Sequence, residues 1–211
     1  MMYYKNGNIK YNGYYVNGNM EGNSIYYYEN GDYFVGKFVN DKKNGKGKEY
    51  YKNCSLKYEG DYVDDTFTGN GKLILPNGCY YIGQFYNCYM HGKGTLYYET
   101  GLIKYEGDFA YNKAEGNGKL ILPNFNYYIG QFKNDVFNGK GILYYRNGKI
   151  LYDGEFANGK GEGYGIINLV DGYLYVGQMS NDHIYGKGVL FDKYGNIIYE
   201  GNFFYGQKVK W

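Results

Sequence analysis

The sequence predicts an all-β fold, an elongated, twisted, single antiparallel sheet of consecutive β-hairpins with solenoid-like repetition. Three observations carry that expectation. The 211 residues include 35 Gly, 33 Tyr and 12 Phe against 2 Pro and 1 Trp. Glycine, about 1 kcal/mol worse than alanine inside a helix, recurs too densely for an amphipathic helix to survive, whereas Tyr, Phe, Ile and Val suit a pleated, half-buried surface. A Tyr-x-Gly-x-aromatic motif returns with its glycine at Gly13, Gly36, Gly60, Gly83, Gly107, Gly130, Gly154, Gly177 and Gly201, at spacings that alternate between 23 and 24 residues. Within each copy side chains alternate, so Tyr58, Gly60 and Tyr62 share one face while Glu59 and Asp61 take the other.

Each copy reads in the same order of elements. A short strand such as KYEGDY or YYIGQF comes first, then a loop of six to eight residues, then a second strand such as GNGKLIL or GKGTLYY, closed by Asn-Gly or a similar turn. A Gly-x-Gly signature begins nine residues after the motif glycine in most copies, from Gly45 with Gly47 to Gly186 with Gly188; the first copy departs, with Gly22 followed by Ser24. The alternating spacing makes the full unit a 47-residue pair, whose segments start near Tyr3, Tyr50, Tyr97, Tyr144 and Phe191 as YYKNGNIKYNG, YYKNCSLKYEG, YYETGLIKYEG, YYRNGKILYDG and FDKYGNIIYEG. Pro76 and Pro123, each in LILPN, keep the same interval, and Asn77-Gly78 and Asn147-Gly148 supply the positive φ angles of tight turns. Residues 1–211 are expected to form a single repeat domain.

Strand glycines carry a cost of roughly 0.5–1 kcal/mol each, so a lone hairpin should not persist in water. The expected offset is aromatic: a Tyr or Phe from a neighbouring strand or copy lies over the bare glycine, at about 2–3 kcal/mol per buried ring. Stability should then be nearest-neighbour, and the array should run on the order of 80 Å along the sheet.

Several function classes recede on composition. The net charge is +2, with Lys and Asp/Glu interspersed and Arg146 the only arginine, so no nucleic-acid footprint is present. Cys54, Cys79 and Cys88 are odd in number and lack CxxC spacing, which fits free thiols in a reducing compartment. Met1 to Lys10 has no apolar signal-like stretch, and no segment approaches the roughly 20 apolar residues of a spanning helix. A cytoplasmic location is expected, at the cytoskeleton or at the cytosolic face of a membrane.

Catalytic readings are weak for a reason rooted in repetition. The carboxylate pairs Glu59/Asp61, Glu106/Asp108 and Asp153/Glu155 recur in every second copy, whereas a catalytic pair is built once; they read as a solvated stripe, so replacing Asp61 should cost little. His91 and His183 fall in hairpin loops without a second ligand, Ser24, Ser55 and Ser180 lack a nucleophile-elbow context, and the GKG segments precede strands and not helices. No catalytic, cofactor or metal site is expected.

The residues Tyr-x-Gly-x-Phe followed by Gly-x-Gly over about 23 positions resemble the MORN (membrane occupation and recognition nexus) repeat, through about eight and a half copies covering nearly the whole chain. Phe34 stands for the first Tyr, Met179 for the Phe, and Phe125 where a turn glycine is common. The resemblance implies an extended antiparallel sheet of successive hairpins with its aromatic positions stacked along a groove. It also implies a non-enzymatic protein-interaction scaffold in cytoskeletal or membrane-associated assemblies. The alternatives it implies are a direct phospholipid-binding module and, more remotely, a bacterial immunity- or antitoxin-like binder or an accessory array for a separate enzyme.

Three sets of residues are candidates for contact. The aromatic stripe Tyr58, Tyr62, Tyr81, Phe85, Tyr105, Phe109, Tyr128, Phe132, Tyr152 and Phe156 is either the mortar of the sheet or the lining of a groove for an extended peptide. Phe203, Phe204 and Trp211 mark an adhesive C-terminal edge suited to homodimer formation. Lys46, Lys93, Lys140 and Lys187 form a sparse basic column able to give weak, salt-sensitive contact with anionic lipid, at about 1 kcal/mol per lysine. A protein partner is expected.

Overall fold

A computed structural model describes residues 1–209. The fold is all-β, an open antiparallel sheet of nineteen consecutive strands, with a single 3-10 turn at Val170–Gly172 among the described residues. The chain divides into two compact units, one comprising Met1–Ile103 with Phe109–Asn112, the other Lys104–Asp108 with the chain from Lys113 onward. In each unit every strand pairs with the next in sequence, as Tyr80–Tyr86 does with Tyr89–Tyr97 in the first and Tyr127–Lys133 with Val136–Tyr144 in the second.

The glycines of the two signatures meet across the strands. In the first unit Gly36 is opposite Gly47, Gly47 opposite Gly60, Gly60 opposite Gly71, Gly71 opposite Gly83, and Gly83 opposite Gly94. In the second unit the same ladder runs from Gly118 through Gly130, Gly141, Gly154, Gly165, Gly177 and Gly188 to Gly201. Sterics explain why no other residue serves. A Cβ on Gly83 would lie 2.4 Å from the Tyr81 hydroxyl and 2.5 Å from Gly94 Cα, and one on Gly94 would lie 2.3 Å from the Tyr81 ring. Each motif tyrosine therefore roofs the glycine two residues along its own strand and that glycine's partner on the next strand. The expectation that roofing rings come from adjoining copies is corrected here; what adjoining copies supply is an edge-on ring, as in Tyr81 against Phe109 at 4.9 Å and Tyr128 against Phe156 at 5.0 Å.

The expected six- to eight-residue loop is also corrected. Strands end in two-residue turns with both residues at positive φ, such as Asn87-Cys88 (47° and 66°) and Asn134-Asp135 (51° and 69°), so Gly-x-Gly lies inside a nine-residue strand. Such primed turns match the twist of the flanking strands. His91 and His183 consequently sit on strands and not in loops. Each turn also grips the preceding copy: Asp135 N–H donates to Ala114 O (3.0 Å) while Ala114 N–H donates to Asp135 Oδ1 (2.7 Å), and Asn112 and Met90 repeat the exchange at 3.0 and 2.8 Å.

The longer turn between copies uses one left-handed residue. Gly78 (φ 80°) and Gly148 (φ 83°) fill it as expected, but Cys54 (65°) and Phe125 (63°) occupy it elsewhere. Phe125→Gly should therefore raise stability by about 1 kcal/mol, and Gly130→Val should lower it by about 3 kcal/mol or more, because its Cβ would meet Gly141 Cα at 2.5 Å. Chemical denaturation of the two variants beside the parent checks both signs.

Candidate functional site

All ten residues of the aromatic stripe are buried, none more than 6% exposed. They pack edge to face in a zigzag, Tyr58 on Phe85, Phe85 on Tyr81 and Tyr81 on Phe109 in the first unit, Tyr105 on Phe132, Phe132 on Tyr128 and Tyr128 on Phe156 in the second. The first tyrosine of each motif donates its hydroxyl to the carbonyl three residues on, at 2.9 Å for Tyr81 to Gln84, Tyr105 to Asp108, Tyr128 to Gln131 and Tyr152 to Glu155. Burial pushes the phenols of Tyr81, Tyr128 and Tyr152 up to about 12, so they stay neutral donors. The stripe is the core of the sheet, and the groove-lining role for these ten rings is set aside: they offer a partner no accessible face.

The opposite face carries what is left to contact solvent. Here the 47-residue period places one constellation four times: an aliphatic residue at Val35, Ile82, Ile129 and Val176, a lysine at Lys46, Lys93, Lys140 and Lys187, and an acid at Glu59, Glu106, Asp153 and Glu200. In the first unit Val35, Lys46, Lys48, Glu59, Asn70 and Ile82 line a groove of about 600 Å³ along the glycine ladder. In the second unit Tyr164, Val176, Lys187, Val189, Glu200 and Asn202 line one of about 420 Å³ at the equivalent position. Two features distinguish the units. In the first the groove wall is charged, with Lys48 opposite both Val35 and Glu59. In the second, Ile166, Val176 and Val189 lie opposite one another as an aliphatic run.

The same face carries stacked tyrosine pairs, which are absent from the aromatic stripe. Tyr33 and Tyr50 (4.9 Å), Tyr80 and Tyr97 (4.7 Å), and Tyr127 and Tyr144 (4.7 Å) are half-buried and nearly parallel, and the Lys72 and Lys119 amines sit 4.5 and 4.6 Å from the Tyr80 and Tyr127 ring centres. Their signal is the tyrosine immediately before the buried one. Adjacent residues point to opposite faces of a strand, so Tyr80 is solvent-side because Tyr81 is core.

The charged candidates divide. Lys46 bridges Asp61 at 2.7 Å and Lys48 bridges Glu59 at 2.8 Å, so part of the basic column is neutralised within the sheet; Lys140 lies opposite Glu155, and Lys187 opposite Asn202. Asp61 is more than the solvated charge expected: its carboxylate accepts Asn70 N–H at 3.0 Å beside the left-handed Gly69. Gln84, Asp108, Gln131 and Gln178 repeat that cap for the N–H of Lys93, Asn117, Lys140 and Lys187. At the C-terminal edge Phe203 is buried against Tyr175 and Tyr199, which corrects its assignment as an adhesive residue; Phe204 is 55% exposed, and Trp211 lies outside the described residues. Among the described residues no group of three His, Cys, Asp or Glu side chains is arranged to hold a metal ion.

A family model for the MORN repeat matches residues 11–33, 34–53, 58–80, 81–103, 105–127, 128–150 and 152–172. The structure carries the motif past the last match, where Tyr175 and Tyr199 make the same hydroxyl bond, to Gln178 and Asn202. No curated protein matches the chain. Among solved structures, the selenomethionine-substituted virginiamycin B lyase of Staphylococcus aureus aligns over 82% of this chain and 53% of its own, at 15% identity and a TM-score of 0.19; the chain thus spans about half the length of that protein.

Asp61 gives a test of the cap. Its carboxyl is held below the ordinary 3.8, first by the hydrogen bond from Lys46 and, against some desolvation, by Asn70 N–H. A depressed carboxyl contributes stability above its unfolded pKa and loses it as pH falls through the folded value. Asp61→Ala should cost about 1 kcal/mol at neutral pH, and that difference should shrink below about pH 4. Urea titrations of parent and variant at a series of pH values measure it.

Proposed function

The chain belongs to the MORN-repeat family, and on that premise we propose that it is a non-enzymatic protein-interaction scaffold whose solvent-side face, opposite the buried rings, receives an extended segment of a partner protein. The observation that carries this reading is an aliphatic, lysine and acid constellation that the sequence repeats at 47-residue intervals and that lines a glycine-floored groove in each unit. A repeated, half-exposed arrangement suits contact with a long partner, since each copy contributes a modest amount and several add. Aromatic rings at its margin, as in the half-buried Tyr80 and Tyr97 pair, are favoured anchors at protein interfaces. Repetition also argues against catalysis, which needs one assembled set of groups.

Free thiols at Cys54, Cys79 and Cys88 support a cytoplasmic setting, at the cytoskeleton or at the cytosolic face of a membrane. The lipid-binding reading ranks second because Lys46, though exposed, is already paired with Asp61. No helix among the described residues is long and apolar enough to cross a membrane. Pairing of two copies through Phe204 is a further reading, supported by that ring's exposure.

Affinity capture from the cells that make the protein tests the first reading. Val176→Lys combined with Val189→Lys should abolish enrichment of the partner with little change in melting temperature; undiminished capture would remove the groove from consideration. Co-sedimentation with phosphatidylserine-containing vesicles should be weak and vanish by about 0.15 M salt, where surface charges are largely screened. Strong sedimentation at that salt would favour lipid over protein.

A further inference from the structure

The ring-side core of the first unit contains a cluster of charge that has no counterpart in the later copies. Lys43 stands opposite Phe38, where the residues 47, 94 and 141 positions on are Met90, Phe137 and Ile184. Glu49 stands opposite Phe34, where the corresponding residues are Leu96, Leu143 and Leu190. Tyr28 corresponds likewise to Leu75, Leu122 and Leu169, and Asp32 to Cys79, Asn126 and Tyr173. Four positions differ together, and the structure links them: Lys43 to Tyr28 and to the Tyr62 ring, Tyr62 to Glu49, and Glu49 to Asp32 through Lys57.

The Lys43 amine donates to the Tyr28 hydroxyl and lies 5.1 and 5.6 Å from the Phe34 and Tyr62 ring centres. The Tyr62 hydroxyl donates to Glu49 Oε2 at 3.4 Å, and Lys57 reaches both Glu49 Oε1 (3.6 Å) and Asp32 Oδ2 (3.9 Å). Glu49 is 7% exposed and Asp32 9%. Burial lowers the Lys43 amine and raises the Tyr28 and Tyr62 phenols, which therefore remain protonated donors. Three segments are joined: the end of strand Asn19–Tyr27 with its following loop, strand Lys42–Tyr50, and strand Leu56–Val63.

A buried ionic network is poor evidence for stability, because desolvation offsets most of the attraction and apolar side chains often do as well; its best-attested role is to fix pairing. This chain has a pairing problem. The strand after Lys42–Tyr50 reads LKYEGDYV, and those one and two units later read IKYEGDFA and ILYDGEFA. Their hydrophobic patterns are interchangeable. Their hydrogen-bonding groups are not: where Tyr62 offers a hydroxyl to Glu49, the later strands have Phe109 and Phe156, and where Asp65 accepts Lys43 N–H at 2.9 Å, the second of them is followed by Gly159, which has no side-chain acceptor.

We infer that the Tyr28, Lys43, Glu49 and Tyr62 network is a register lock that admits strand Leu56–Val63 as the neighbour of strand Lys42–Tyr50 and rejects its near copies. A wrong strand would bury the Glu49 carboxylate without the Tyr62 hydroxyl. The triple variant Tyr28→Leu, Lys43→Met, Glu49→Leu, which installs the residues found 47 positions later, tests this. It should melt at or above the parent's temperature yet refold from denaturant with a several-fold larger fraction of non-native species, seen as extra size-exclusion peaks or bimodal deuterium exchange across residues 19–63. Refolding to one species with parental yield would overturn the lock. A triple variant that fails to fold would overturn it too, by showing that the cluster supplies stability. Tyr62→Phe, which removes only the hydroxyl, should shift the refolding yield in the same direction; an unchanged yield would count against the role assigned to Tyr62.

Discussion

Contact between a tyrosine ring and bare backbone is the constraint on which the rest of this structure depends. Tyr81 lies so close over Gly83 and Gly94 that a single added carbon at either would enter the ring or the opposing chain. That contact fixes residue type at two positions per copy. It also leaves the ring's far edge to the next copy, where Phe109 meets it. A sheet rich in glycine, which by backbone entropy alone should be unstable, becomes cohesive because the glycines of the ladder each seat a ring.

Hydrogen bonding then holds each ring and each copy in place. The first motif aromatic is tyrosine in most copies because its hydroxyl has a defined acceptor, the carbonyl three residues on, as in Tyr128 to Gln131. Where the sequence departs the bond changes accordingly: Ser24, in place of the second signature glycine, puts its Oγ 2.6 Å from the Tyr11 hydroxyl. The two-residue turns join copy to copy through paired backbone and side-chain bonds such as Ala114 with Asp135. Packing and hydrogen bonding both act between successive copies, which is the condition for nearest-neighbour stability in a repeat protein.

The repeat, the strand content and the division of faces were legible in the sequence because they follow from sterics and alternation, which depend on residue type alone. Tyr58, Gly60 and Tyr62 do share the buried face. Loop length was misread for a physical reason: glycine is disfavoured in strands, so Gly-x-Gly looked like a boundary, while ring packing places it mid-strand. Alternation assigns a face but not a neighbour, so the source of the roofing ring could not be read. The role of Asp61 was hidden because an acid that caps an N–H and an acid that merely faces water are the same letter. The stacked pair Tyr80 and Tyr97 is not legible in the sequence because Tyr80 abuts Tyr81, and two adjacent tyrosines read as one stripe when they serve opposite faces.

That opposition of faces explains where this chain is free to differ from copy to copy. Ring-side positions are constrained by contact, so a change there carries information only when several partners change with it, as Tyr28, Asp32, Lys43 and Glu49 do. Solvent-side positions are coupled more locally, through cross-strand pairs such as Lys48 with Glu59. The residue beside the second ladder glycine is Lys48, Thr95, Ile142 and Val189 in successive units, while the lysine two positions before it does not vary. Variation at one site beside a fixed one is the pattern on which the proposed interaction role rests. The core therefore constrains how the copies stack, and the outer face, less tightly constrained, is where they differ most.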